Sequence, residues 1–148
     1  MIKNQKLFYL LSLTWGLPMS ILGYLIGLVL VGMGYKPTKY GYCYCFQIRG
    51  VSGSGVSFGP VMVAGLNASS RLKNHEHGHA IQNCFWGFLF PFVIAIPSVT
   101  RYWARYISVV TKKKKPTELP DYDAVWYEGG ATKIGTEFME WYNTQQND

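Results

Sequence analysis

The chain has 148 residues, 14 Lys and Arg against 8 Asp and Glu, a formal charge of +6 and an apolar fraction of 49%. That length holds one compact domain, or less than one if part of the chain lies in lipid. The basic excess has no stacking or groove-reading motif beside it, which argues against nucleic acid as a partner; Cys43, Cys45 and Cys84 form neither an even disulfide framework nor a Cys-x-x-Cys zinc pair.

From Leu7 to Tyr35 no residue is charged, a run of 29 positions, whereas a helix needs about 20 to cross the hydrocarbon core. One tilted span fits and two do not, so residues 1–35 read as a transmembrane anchor. A cleaved signal peptide starting at Lys3 and Lys6 would have an apolar region of only about 7–15 residues, and no small-x-small site closes this run. Pro18 bends the helix. Gly23 and Gly27 stand four apart, a small-xxx-small pattern that admits a second helix, although plain lipid-facing glycines read equally well.

After Lys36-Pro37 the period changes to two, with Tyr40, Tyr42, Tyr44, Phe46 and Ile48 at alternate positions of a strand. Cys43 and Cys45 read as small buried strand residues. Arg49 to Gly55, with Gly50, Gly53 and Gly55, forms a reversing loop, and Val56 to Gly65 is the returning strand of a β-hairpin, confined at Pro60 to an edge or bulge. The loop matches neither the P-loop nor the dinucleotide-binding pattern. Asn67 to Ser70 supplies N-caps for a helix from Arg71. Ala80 to Thr100 is again uncharged, broken by Pro91 and Pro97. Arg101, Arg105 and Lys112 to Lys115 follow, a charge pattern that beside a membrane segment favours anionic headgroups. Asp121 or Asp123 can cap a last helix running to about Tyr142. On it Glu128, Ala131, Thr132 and Gly135 share one face, and Tyr127, Ile134, Phe138 and Trp141 another.

The chemistry-bearing stretch is His75-Glu76-His77-Gly78-His79. On a helix, positions i and i+4 lie on one face, so His75 and His79 can converge on a metal ion while His77 points elsewhere. Glu76 lies beside the pair, where a carboxylate can take a proton from a metal-bound water. Catalytic zinc usually has three protein ligands. The downstream acids are Glu118, Asp121, Asp123, Glu128, Glu137, Glu140 and Asp148. Glu128 is the best third ligand, because the small residues on its own face let its helix lie close to the histidine helix. Tyr102, Tyr106, Tyr122 and Tyr127 are candidate donors to a tetrahedral oxyanion.

The HEHGH run resembles the H-E-x-G-H variant of zincin metallopeptidases, and Glu128-Gly129-Gly130-Ala131-Thr132 resembles the E-x-x-A-D pattern that supplies the glutamate ligand in the gluzincin branch. The resemblance implies that His75, His79 and Glu128 hold Zn2+, that Glu76 is the general base, and that an edge strand beside the active helix pairs with extended substrate. Val56 to Ala64 is the candidate strand. Thr132 departs from the aspartate that often supports a histidine ligand in that pattern; Asp121, Asp123 or a backbone carbonyl are alternatives for that role. Trp15-Gly16-Leu17-Pro18, Asn74 to Asn83 and Pro120 to Thr132 together are similar to a family of short, largely uncharacterised bacterial membrane proteins.

The expectation is an α+β protein with a transmembrane anchor over 1–35 and a minimal zincin-like domain over 36–148, acting as a membrane-anchored zinc peptidase on a peptide or membrane-protein substrate. The alternative is a non-catalytic membrane interaction protein with a structural or vestigial metal site. Geometry adds a demand. As a helix the 21 residues from Ala80 to Thr100 would be about 30 Å long, and a crossing there would put His79 and Glu128 on opposite membrane sides. The segment must therefore turn back near Gly87 to Pro91, within an apolar re-entrant or interfacial hairpin at about 80–110. Lys36, Lys39, Arg49 and the later lysines, against Lys3 and Lys6, place the catalytic part on the cytoplasmic side of a bacterial inner membrane.

Overall fold

The computed structural model describes residues 2–50, 53–111 and 114–147; Lys112 and Lys113 of the basic run, and two residues of the glycine-rich loop, lie outside these. The described residues are α+β. The elements run α1 (Gln5–Leu13), α2 (Leu17–Gly32), β1 (Thr38–Tyr40), β2 (Cys43–Ile48), β3 (Gly55–Phe58), β4 (Val61–Gly65), α3 (Ser70–Trp86), α4 (Ile96–Val110) and α5 (Trp126–Asn147).

The four strands form one mixed sheet in the order β1-β2-β4-β3. β2 and β4 pair in parallel, with Cys45 opposite Met62, which corrects the expected hairpin between these two segments. The reversals lie inside each segment instead. β1 turns into β2 at Gly41 (φ 55°) and β3 into β4 at Gly59 (φ 58°) and Pro60, where only glycine takes the left-handed backbone without strain. The expected substrate strand therefore divides. Val61–Gly65 is paired on both sides, and only Gly55–Phe58 is a free edge.

Both faces of the sheet are covered. Phe46, Val61 and Val63 pack on Ile26 and Leu30 of α2, while Cys43, Cys45, Met62 and Ala64 pack on Ala80, Ile81 and Cys84 of α3 and Phe138 of α5. Double-sided burial is why β4 is a continuous apolar run without alternation. The glycines of α2 serve this packing. A Cβ on Gly23 would overlap the Phe58 carbonyl oxygen, and one on Gly27 would lie 3.3 Å from the Phe46 ring. Their close approach is to a sheet and not to a second helix.

The N-terminal uncharged run is not one continuous span, because α1 and α2 meet at 96°. Pro18 sits in the first turn of α2, where its missing N–H is not needed. Ser20 Oγ donates to the Ser12 carbonyl (2.7 Å), and Asn83 Nδ2 donates to that of Gly16 (3.2 Å), fixing the corner. Among the described residues no single helix is long and apolar enough to cross a membrane; the bent pairs α1–α2 and α3–α4 meet that test only as pairs.

α3 begins after Ser69, whose side chain caps Leu72 N–H at 3.2 Å, and is buried throughout from His75 to Cys84. The second uncharged run reverses at Gly87 (φ 55°), a 3-10 turn over Gly87–Leu89 and a π-helical turn over Pro91–Ala95, so that the chain before and after meets at 118°. This is the turn the sequence demanded. α4 returns over the site with no fully buried residue. α5 then crosses α3 closely: a Cβ on Gly78 would overlap the Ala131 carbonyl oxygen, and one on Gly135 that of Asn74. The small face of α5 thus does what its spacing predicted, and Gly78 is its counterpart on α3.

Candidate metal centre

The three predicted ligands converge. His75 Nε2 and His79 Nε2 are 3.1 Å apart, and Glu128 Oε2 lies 3.1 Å from the first and 3.2 Å from the second, with all three residues buried. Three donors around a tetrahedral zinc stand roughly 3.3 Å from one another when each bond is about 2.0–2.1 Å. The triangle therefore has the dimensions of a facial ligand set. His77, by contrast, turns into the core, where its Nε2 accepts from Tyr42 N–H (3.2 Å) and its ring stacks on Phe138 at 4.3 Å. Burial pulls its pKa down to about 3, so it is a neutral packing residue.

The outer hydrogen bonds fix the tautomers. Gln82 Nε2 donates to the Tyr127 carbonyl (2.9 Å), which leaves Gln82 Oε1 to accept from His79 Nδ1–H at 2.8 Å. Thr132 Oγ1 donates to Asp123 Oδ1 (3.0 Å) and so accepts from His75 Nδ1–H, also at 2.8 Å. Asp123 is in turn paired with Arg71 at 2.8 Å. With both Nδ1 atoms protonated, both Nε2 lone pairs and a carboxylate oxygen face one another. Three acceptors in a buried triangle repel unless a cation lies between them. Glu128 Oε1 is also buried without a partner. The donor set thus fits a borderline metal ion such as zinc. Without a metal a proton takes its place: burial opposes the charging of His79, but the hydrogen bond to Glu128, the Glu76 and Glu128 charges and Gln82 outweigh it and raise its pKa. Burial would raise Glu128, yet the two imidazoles hold it well below the usual carboxylate range.

Thr132 thus supplies the hydrogen bond that the aspartate of the resembling pattern would give, with Asp123 behind it. Outer partners of this type are worth about 10- to 100-fold in metal affinity. Thr132→Val and Gln82→Leu are each expected to weaken zinc binding by about that factor in a chelator-competition titration.

Glu76 lies beside the triangle, 4% exposed, against the edge strand, where a Cβ on Gly55 would come within 2.8 Å of its Cγ. Burial raises its pKa, with Glu128 adding to the rise and the charges of His79 and His75 opposing it. Two cavities meet at His75 and Glu76, and both are lined by Tyr102 and Tyr122. The Tyr122 ring is 6.1 Å from that of His75, and burial, with the Glu128 charge adding, raises its hydroxyl to about 12, leaving it a donor at neutral pH. Tyr106 lines one cavity only, and Tyr127 serves through its carbonyl. Gln82 was not anticipated from the sequence. Its position three residues after His79, on the same helical face, was the available signal. The chain matches no protein-family model, curated protein or solved structure.

Proposed function

We propose that this protein is a membrane-associated zinc peptidase, with His75, His79 and Glu128 as the metal ligands and Glu76 as general base. The observation that carries the reading is the buried triangle of three acceptors, with an adjacent carboxylate spaced so that it cannot join it. Zinc, when bound, supplies Lewis acidity toward a carbonyl oxygen and acidifies a water. Glu76 takes up a proton at a carboxylate oxygen and delivers it to the departing amine nitrogen. Tyr122 and Tyr102, on the cavity walls, offer hydroxyl donors to the carbonyl oxygen. The β3 edge offers backbone N–H and C=O groups to an extended peptide.

Exposed apolar side chains support the membrane part of the proposal. Leu25, Leu28 and Val29 of α2, and Phe92 and Ile96 around the α4 turn, are more than half exposed, a surface larger than water-facing helices usually carry. The outward face of α2 and the α4 turn would then lie against the bilayer, with the basic residues facing a cytoplasmic leaflet. The test is hydrolysis of a quenched-peptide pool in detergent micelles. Zinc-loaded protein is expected to cleave, to stop on chelation and to recover on zinc addition; metal-loaded protein that cleaves nothing would favour the non-catalytic alternative.

A further inference from the structure

The two cavities that meet at the metal centre differ in character. The first, about 330 Å³, is walled by Met19 of α2, Val56 and Phe58 of β3, Phe90 and Ile94 of the reversal and Val99 of α4. The second, about 770 Å³, is mixed, with Arg71, Arg105 and Asp123 beside Leu72, Val109 and Leu119. Ser54, Gly55, His75, Glu76, Tyr102 and Tyr122 belong to both. The reacting groups therefore sit at the boundary between an apolar chamber and a wider, mixed one.

Resting on the peptidase reading, we propose that the site selects a peptide bond with a large apolar side chain on one flank, held in the first cavity, while the other flank lies in the wider, mixed second cavity. The apolar chamber gains by burying aliphatic or aromatic surface, which a glycine does not supply. In the second cavity Arg71 is engaged with Asp123 and Arg105 with the Pro120 carbonyl. The edge strand runs from one chamber to the other: Gly55 borders both, while Val56 and Phe58 border only the apolar one. A peptide laid along β3 thus passes from the mixed cavity into the apolar one beside Glu76.

The experiment compares a quenched peptide carrying leucine on one flank and Ser-Gln-Asn on the other with one in which glycine replaces the leucine, using zinc-loaded protein in detergent. Losing that side chain is expected to lower kcat/KM by about 10- to 100-fold. Val99→Trp, or Ala95→Phe as a second variant, should fill the chamber and bring the leucine-to-glycine ratio near one. Ala104→Trp, on α4 but lining neither of the two cavities, should keep the wild-type ratio. Equal cleavage of the two peptides by wild type, or an undiminished ratio in both filling variants, would overturn the proposal. If nothing is cleaved, the peptidase reading fails, and calorimetric binding of the two peptides to zinc-loaded Glu76→Gln decides the inference: tighter leucine binding lost in the filling variants supports the apolar chamber, and equal binding refutes it.

Discussion

Replacing Glu76 with glutamine is expected to lower kcat for peptide hydrolysis by about 100- to 10,000-fold, the range of a lost general base. Bound zinc should remain near one per chain. The substitution keeps shape and volume, so the close approach of Gly55 to the side chain is preserved. It removes only the ability to hold a proton at the carboxylate. Glu76 is on α3 one residue from His75, on a different face from the two ligand imidazoles, and no metal ligand is lost. A kinetic comparison with matched metal contents separates the two roles. A fall in kcat accompanied by metal loss would instead make Glu76 a ligand or a support for one.

Zinc is expected to stabilise the wild-type protein against unfolding by about 4 kcal/mol at a free concentration a thousand times Kd, and to do nothing comparable for His79→Ala. The physical reason is the triangle itself. Metal-free, it holds a carboxylate oxygen and two imidazole nitrogens within 3.2 Å of one another in a buried site. A bound cation replaces the proton there and contacts all three atoms, and it ties α3 to α5 at the point where Gly78 and Ala131 already bring them together. Thermal scans with and without zinc, at matched detergent concentration, measure the difference. An equal upward shift in His79→Ala would place the stabilising zinc elsewhere on the molecule.

The candidate metal centre was legible because each part of it has a local signature. His75 and His79 are one helical turn apart, and Glu128 is followed on its face by Ala131, Thr132 and Gly135, residues small enough for two helices to touch. The reversal after Ala80 followed from the demand that His79 and Glu128 share an ion. What was not legible depends on partners distant in sequence. Thr132 reaches His75 only because Asp123, fixed by Arg71, takes its proton. The parallel pairing of β2 and β4 contradicts the simplest reading of two strands joined by a glycine-rich loop. Its trace in the sequence is the unbroken apolar run from Val61 to Ala64, typical of a strand buried on both faces. Gly23 and Gly27 signalled close approach correctly, yet nothing local distinguishes a strand carbonyl from a second helix as the neighbour. The N-terminal uncharged run divides at Gly16-Leu17-Pro18, where proline opens a new helix as readily as it bends an old one.

Metal analysis of purified protein tests the central claim most directly. Wild type, dialysed against metal-free buffer after zinc loading, is expected to retain about one zinc per chain, as a site with three protein ligands should, and His79→Ala and Glu128→Ala to lose it. Wild type that holds no stoichiometric metal, or variants that hold it as well as wild type, would contradict the account.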